Sequence, residues 1–178
     1  MGPLSNNLNF PSLITNNHLI GIDYLKNSKV IKFVYDNKLY QLLLEGRKIY
    51  TNEEFDITII EIKKKDNINI KNFLEIDEEI LNIKTFQKNY TNSTAYTFEY
   101  KDGNFFFSLE EIQNISEEGN LFRKTIKDKK KASFVCSGTP ILSLSSFKVI
   151  GLHCVYDQSE KVSLGYIISR PIKDYLSL

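Results

Sequence analysis

The sequence predicts an all-β fold, and two observations carry this prediction. Most apolar segments are short, rich in β-branched and aromatic residues, and bounded by turn residues, as strands are. Little of the chain has the pattern of a helix, and many short strands with little helix are typical of a β-barrel or a β-sandwich. With 178 residues, of which 42% are hydrophobic, the chain is long enough for one sizeable core or two small cores.

Five strands are predicted in the first half of the chain: residues 12–15, 29–35, 38–44, 49–50 and 56–62. The second and third form a hairpin across Asp36-Asn37, a dipeptide that tolerates the positive φ of a tight turn. Residues 74–83 carry enough acidic and aliphatic side chains for a short helix or a crossing linker, and the connection between two domains is expected near residues 82–92. We therefore predict an N-terminal domain of residues 1–88 and a C-terminal domain of residues 89–178.

Six further strands are predicted in the second half: residues 95–100, 104–109, 133–136, 141–144, 148–155 and 162–169. The first two form a hairpin around Lys101-Asp102-Gly103, and Glu117–Asn120 is another turn. A short C-terminal helix starts at Arg170-Pro171, because proline in the first turn of a helix loses no hydrogen bond.

The balance of charges and the cysteine count narrow the class of protein. A formal net charge of +1, from 23 basic and 22 acidic residues, gives no field that favours nucleic acid or an anionic membrane as partner. No segment approaches the roughly 18 apolar residues of a membrane span, and the N-terminus lacks the pattern of a signal peptide. Two cysteines, Cys136 and Cys154, are too few for a disulfide framework, although a bridge between them stays open. We expect a cytoplasmic location.

Three short fragments carry residues with the chemistry of a serine hydrolase. Ser137-Gly138-Thr139-Pro140 precedes an apolar run and then Val149–His153, which predicts a nucleophile turn that leads into two core strands. The other fragments are Leu13–His18 and Phe55–Ile60. The order His, Asp, Ser along the chain is that of the chymotrypsin-like fold and differs from the subtilisin and α/β-hydrolase orders.

On these residues the chain resembles the trypsin-like serine peptidases, in particular the compact branch of the glutamyl endopeptidases and picornaviral main proteases. His153 follows Ser137 at about the fifteen-residue spacing of that branch. The resemblance implies a chymotrypsin-like double β-barrel, with His18 as general base, Asp56 as its orienting carboxylate and Ser137 as nucleophile. It also implies that His153 lies in the specificity pocket and that cleavage follows Glu or Gln.

These roles have a chemical basis that can be stated from the residues. A serine hydroxyl is a weak nucleophile, and a neutral imidazole, with a reference pKa of about 6.5, can take its proton and return it to the leaving amine. The carboxylate of Asp56 would hold the imidazole of His18 in the required tautomer. Each residue also has a simpler interpretation: His18 as a surface histidine in a polar turn, Asp56 as a turn cap, and His153 as a satisfied core histidine.

The remaining assignments concern the substrate and the cofactor. We assign Thr139, at a site usually filled by Gly or Ser, and Cys154 as substrate-binding residues beside His153. The expected partner is a peptide or protein substrate, and this chemistry needs no cofactor and no metal. A zinc site built from both histidines and both cysteines is disfavoured, because His153 and Cys154 are adjacent on a strand and point to opposite faces.

The sequence also departs from the family pattern. Val135 stands where a glycine normally supplies one oxyanion-hole N–H, together with that of Ser137, and a β-branched residue resists unusual backbone dihedrals. Cys136 replaces the Asp that trypsin-type zymogen activation requires. Few residues precede the first strand, so a partner or a missing segment is expected to cover an open edge of the N-terminal barrel. An alternative function is therefore an inactive protease-like domain that binds a peptide or protein.

Overall fold

The computed structural model describes residues 11–35, 37–69, 73–101, 104–116, 121–126, 137–157 and 162–178. These residues form the following strands: β1 (Ser12–Thr15), β2 (Val30–Tyr35), β3 (Lys38–Leu43), β4 (Ile49–Asn52), β5 (Ile57–Glu61), β6 (Thr94–Lys101), β7 (Asn104–Ile115), β8 (Leu121–Ile126), β9 (Pro140–Ser143), β10 (Val149–Asp157) and β11 (Val162–Ile167). The helices are α1 (Ile22–Asn27), α2 (Ile83–Tyr90) and α3 (Ser169–Ser177). The predictions of an all-β fold and of a short C-terminal helix are confirmed.

The chain divides into two compact units. The first contains the residues up to Phe73 together with Tyr175–Leu178, and the second contains Leu74–Asp174. The predicted domain boundary between residues 88 and 89 therefore falls inside α2, within the second unit.

The first unit contains two separate sheets. Strands β1, β5 and β4 form an antiparallel sheet in that order, and β2 pairs with β3 as a hairpin. The hairpin packs on the sheet through one apolar cluster, whose buried members are Ile31, Leu42, Leu44, Ile60 and Ile62. The predicted N-terminal β-barrel is not formed by the described strands. The hairpin packs on the sheet through apolar side chains, whereas a barrel would need ladder hydrogen bonds between them.

A buried ion pair ties together the turns of this unit. Arg47 donates from Nη1 and Nη2 to the two carboxylate oxygens of Asp66 at 2.7 and 2.6 Å, and the two side chains are 1% and 6% exposed. Arg47 also donates to the carbonyl of Glu61, and Asp66 accepts from the backbone N–H of Lys63. The hydrogen bonds from Arg47 keep the pKa of Asp66 below its usual value.

The second unit is a closed antiparallel barrel. Its strands follow the order β10, β11, β8, β7, β6, β9, and β9 returns to β10. Strand β8 is absent from our sequence prediction, because Arg123-Lys124 in its centre interrupts the alternation of apolar and polar residues. The predicted strand 133–136 and the predicted turn Glu117–Asn120 lie outside the described residues.

Helix α2 is held in the second unit by a buried polar network. Asp77 accepts hydrogen bonds from Tyr90 Oη and Ser146 Oγ, both at 2.5 Å, and from the backbone N–H of Glu79 at 3.0 Å. Burial raises the pKa of Asp77, but these hydrogen bonds outweigh it and the net shift is downward. Burial and the neighbouring Asp77 raise the pKa of Tyr90 to about 12. Phe86 is fully buried and stacks on Tyr90, so residues 83–90 belong to the barrel unit and not to a linker.

None of the helices in the described part of the chain has the length and apolar character needed to cross a bilayer.

We predict that Asp66→Asn lowers the free energy of unfolding at pH 7 by about 3–5 kcal/mol, because it leaves Arg47 buried without its counter-charge. The pKa of Asp66 is lowered in the folded state, so its contribution is fully present above the unfolded value of 3.8 and is lost as the pH falls through the lowered pKa. The difference between wild type and variant should therefore be constant above about pH 5 and shrink below pH 4. Urea denaturation at several pH values measures it.

The matched control is Asp174→Asn, which removes the exposed ion pair between Arg170 and Asp174 in α3. An exposed pair of this kind contributes at most about 1 kcal/mol. Equal stability losses for the two variants at pH 7 would contradict the role assigned to the buried pair.

Candidate active site

The pairing of β1 with β5 brings His18 and Asp56 to the same end of one sheet. The two strands are antiparallel, with Thr15 opposite Thr58, so the turn that follows β1 meets the turn that precedes β5. His18 lies in the first turn and Asp56 closes the second. Asp56 has a φ of 47°, in the left-handed region that Asp and Asn enter more readily than most residues.

The Asp56 carboxylate binds His18 through both its backbone and its side chain. The Nδ1 atom of His18 lies 2.8 Å from Oδ2 and 3.0 Å from Oδ1, and the backbone N–H of His18 donates to Oδ1 at 2.9 Å. The side chain of Asp56 is 13% exposed, whereas that of His18 is 47% exposed. The carboxylate is thus shielded from solvent, whereas about half of the His18 side chain remains exposed.

This geometry selects one tautomer of the histidine. A carboxylate accepts hydrogen bonds, so Nδ1 carries the proton and the neutral ring keeps its lone pair on Nε2. The imidazole can therefore act as a base at Nε2. When Nε2 takes up a proton, the hydrogen bond from Nδ1–H to the Asp56 carboxylate stabilises the charged ring. The simpler interpretations of His18 as an isolated surface residue and of Asp56 as a turn cap do not account for these three contacts.

Two buried asparagines next to His18 support the pair, and the sequence patterns did not identify them. Asn16 is fully buried and donates from Nδ2 to the carbonyl of Asp56 at 3.0 Å. Asn17 donates to Thr51 Oγ1, which contacts Thr58 Oγ1, which in turn donates to the carbonyl of Ile20. This chain of hydrogen bonds connects β4, β5 and both ends of the His18 turn. The signal available in the sequence was two consecutive asparagines directly after a strand, which are costly to bury without partners.

A cavity of about 260 Å³ adjoins the imidazole within the first unit. Its wall is formed by the turn that carries His18, by the first residues of α1, including the acidic Asp23, and by Glu53 of the turn before β5. The catalytic candidate is therefore bordered by an open recess.

In the second unit, Ser137 begins a tight turn that is bound to β10. Gly138 has a φ of 84°, which a residue with a side chain adopts only with strain. The N–H of Gly138 donates to the carbonyl of His153 at 3.1 Å, and the N–H of His153 donates to the carbonyl of Thr139 at 2.9 Å. Ser137 Oγ donates to the carbonyl of Cys154 at 3.1 Å. The turn is thus fixed against the strand that carries His153.

A β-bulge in β10 shapes this contact. His153 pairs with Gly165 and Val155 pairs with Leu164, so Cys154 is the extra residue of the bulge. His153 is 1% exposed, while Cys154 is half-buried, as expected if their side chains leave opposite faces of the strand. Bulges bend a strand and redirect its groups, and here the bulged residue presents its carbonyl to Ser137.

The structure therefore brings the candidate residues together in two groups. Within the first unit it joins His18 to Asp56, and within the second it joins Ser137 and Thr139 to the backbone of His153 and Cys154. Val135, the predicted second oxyanion-hole residue, lies outside the described residues, as does Cys136. The N–H of Gly138 donates to the carbonyl of His153, so it is not free to act as an oxyanion donor.

Comparison with solved structures identifies the fold. The chain is similar to catalytically active tobacco etch virus protease complexed with product (15% identity, TM-score 0.59, 89% of this chain and 63% of that chain). It is also similar to the serine endoprotease from Yersinia pestis (10% identity, TM-score 0.56, 93% and 54%). A third neighbour is a structure described as showing aromatic interactions that drive the coupled folding and binding of the intrinsically disordered Sesbania mosaic virus VPg protein (14%, TM-score 0.52, 88% and 73%).

These likenesses establish a chymotrypsin-like fold and confirm the resemblance to chymotrypsin-fold serine proteases. The chain spans 63% of the length of the tobacco etch virus protease and 54% of the Yersinia protein. No protein-family model matches the chain, and no curated protein matches it.

We predict that Gly21→Ala disrupts the pair of His18 and Asp56. A Cβ at Gly21 would lie 2.9 Å from the carbonyl oxygen of Asn17, so the turn that carries His18 has to shift. The downfield proton resonance of His18 Nδ1–H should broaden or disappear, and overpacking should lower the free energy of unfolding by about 1–3 kcal/mol.

Gly46→Ala is the control, because Gly46 has a φ of 65° and no atom lies within 4 Å of the position that an added methyl group would occupy. It should cost about 1–2 kcal/mol through backbone strain alone and leave the His18 resonance unchanged. If Gly21→Ala preserves the resonance, the close approach at Asn17 does not position His18.

Proposed function

We propose that this chain is a serine endopeptidase in which Ser137 attacks the peptide carbonyl and His18 and Asp56 form the proton-transfer pair. The observation that carries the proposal is the contact of His18 Nδ1 and the His18 backbone N–H with one shielded carboxylate. The neighbours with chymotrypsin folds are proteases, which supports a peptidase function. The substrate is a peptide or protein, and the complexes of the tobacco etch virus protease with product support this class.

The proposed reaction has two stages. In the first, Ser137 Oγ bonds to the scissile carbonyl carbon as His18 Nε2 takes the hydroxyl proton; the C–N bond then breaks, and the same proton passes to the leaving amine. In the second, water loses a proton to His18 and attacks the acyl-enzyme, and Ser137 recovers the proton as the acid leaves. Asp56 stays ionised throughout and stabilises the imidazolium.

The resting position of the Ser137 hydroxyl sets one requirement of this mechanism. The hydroxyl donates to the carbonyl of Cys154, so it has to rotate away from that carbonyl before its proton can pass to a base. Such a rotation about χ1 is inexpensive, because one neutral hydrogen bond contributes only about 0.5–1.5 kcal/mol net.

The assignment of the pocket completes the proposal. His153 would contact the side chain of the residue before the scissile bond, with Thr139 and Cys154 beside it, and this favours cleavage after Glu or Gln. A site built around a buried polar donor rejects apolar side chains, since the donor would lose its partner.

We predict that wild-type protein is labelled covalently by a fluorophosphonate probe and that Ser137→Ala abolishes labelling. Asp56→Asn should slow labelling by a factor of about 10³–10⁴, because an amide that donates to Nδ1 favours the wrong tautomer. Intact-protein mass spectrometry measures the adduct, and circular dichroism confirms folding.

Ser145→Ala is the matched control, because Ser145 is another serine of the second unit and lies in the turn between β9 and β10. Its rate of labelling should equal that of the wild type. Folded wild-type protein that does not react would exclude the peptidase function.

A second function, binding of a flexible peptide segment, is favoured by an exposed aromatic surface on the barrel. This aromatic surface consists of Tyr96, Phe98, Phe107 and Phe147, with ring centroids 6.3–6.4 Å apart between neighbours. Phe107 and Phe147 are 64% and 67% exposed. Large exposed apolar patches mark interaction sites in soluble proteins, and the aromatic interactions described for the Sesbania mosaic virus structure support a segment that folds on binding.

Peptides that bind the wild-type protein can be selected from a displayed library. We predict that the double variant Phe107→Ala/Phe147→Ala binds these peptides at least tenfold more weakly than the wild type does, since buried aromatic residues dominate interface energies. Val34→Ala/Leu39→Ala serves as control, because these side chains are 70% and 62% exposed on the hairpin of the first unit. Selected peptides that bind both double variants as tightly as the wild type would refute this second function.

A further inference from the structure

The side chain of Asn16 makes a contact that its position in a turn does not explain. An asparagine in a turn commonly accepts a hydrogen bond at its side-chain oxygen from the backbone N–H two residues further on. Here that N–H belongs to His18 and donates to Oδ1 of Asp56. The Oδ1 atom of Asn16 has no hydrogen-bond partner among the described residues, although the residue is fully buried. Local turn chemistry therefore does not account for this asparagine.

The stability of the turn does not account for the amide either. The turn uses the backbone of Asn16, whose carbonyl accepts from the N–H groups of Leu19 and Ile20, both at 3.2 Å. A leucine of similar shape would keep these backbone contacts. An amide that is buried with an unsatisfied oxygen carries a desolvation penalty, which offsets the gain from the hydrogen bond that its Nδ2 donates. The amide therefore adds little to stability.

The contact of this amide with Asp56 acts on the direction of the aspartate side chain. Nδ2 of Asn16 donates to the carbonyl of Asp56 at 3.0 Å, and the N–H of Asp56 donates to the carbonyl of Glu53 at 3.1 Å. Hydrogen bonds thus hold both peptide groups that flank the Cα atom of Asp56, and the orientation of these groups sets the direction of the Cα–Cβ bond. An aspartate with a φ of 47° is strained and keeps this conformation only where surrounding contacts hold it.

We propose that Asn16 is a positioning residue, whose side-chain amide holds Asp56 in the backbone conformation that directs its carboxylate to Nδ1 of His18. The inference rests on the proposed function and deepens it, because it adds a residue on which the proton-transfer pair depends. In the proposed mechanism Asn16 acts through Asp56 alone.

The test compares Asn16→Leu with the wild type in two measurements. Nitrogen-15 chemical shifts of the neutral imidazole report which nitrogen of His18 carries the proton, and this measurement does not depend on Ser137. The wild type should carry it on Nδ1. In Asn16→Leu the proportion protonated at Nε2 should rise about tenfold, as the loss of one hydrogen bond implies. The rate of fluorophosphonate labelling should fall about 10–100-fold, as for a displaced catalytic group.

Two further variants assign the signals and guard against a leucine that does not fit. The chain has two histidines, so the spectrum of His18→Gln identifies the signals of His18. Asn16→Ala only removes atoms and should change the proton position and the labelling rate in the same direction as Asn16→Leu.

Tyr90→Phe is the matched control for a general loss of stability. It removes a buried hydroxyl that donates to Asp77 in the second unit, away from the turn that carries His18. Tyr90→Phe should lower the free energy of unfolding at least as much as Asn16→Leu does. It should leave the proton position and the labelling rate at their wild-type values.

Three outcomes would each overturn the inference. These are an unchanged proton position in folded Asn16→Leu, equal effects of Asn16→Leu and Tyr90→Phe on the labelling rate, and failure of both Asn16 variants to fold, which would assign the amide to stability. A wild type that is not labelled, but whose proton position depends on Asn16, would refute the peptidase function and leave the role of Asn16 intact.

Discussion

The register between β1 and β5 is the constraint on which the candidate site depends. Thr15 opposite Thr58 brings the turn after one strand to the turn before the other, and His18 and Asp56 occupy those turns. A shift of one residue would reverse every side chain of β1 relative to the core, and Leu13 packs on the apolar cluster of the first unit. The hydrophobic effect therefore fixes the register, and the register in turn fixes the distance between imidazole and carboxylate.

The same end of the sheet contains a strained backbone conformation and buried polar side chains, neither of which is needed to form the apolar core. Asp56 has a positive φ, and the polar residues Asn16 and Thr58 are fully buried. Such features persist when surrounding contacts determine them, and they cluster at functional sites. Here the hydrogen bond from Asn16 to the carbonyl of Asp56 acts on the strained residue itself. The arrangement is better explained by a carboxylate that must be held in one orientation than by packing alone.

The candidate site residues could be proposed from the sequence because the signals that point to them are local. His18 and Asp56 lie directly beside apolar strands, and Ser137 begins the segment Ser137-Gly138-Thr139-Pro140, so adjacent residues in the sequence mark them as candidates. Asn16, Asn17 and Thr51 escaped prediction because their partners depend on strand register, which short-range patterns do not encode. The sequence indicated the strands of the first unit correctly. It did not indicate that the hairpin is separate from the sheet, because that depends on which apolar faces pack together.

The second unit shows why the prediction was weakest in the middle of the chain. Helix α2 has an N-cap at Asn82 and two buried aromatics four residues apart, yet the sequence pattern favours a connection between the domains near residues 82–92. Its attachment depends on Asp77 accepting from Tyr90 and from Ser146, and Ser146 lies far along the chain. A carboxylate that gathers donors from a helix and a distant turn is visible only in three dimensions. In the second unit a buried carboxylate thus adds hydrogen bonds to the apolar packing of a helix, and in the first unit a shielded carboxylate orients a histidine.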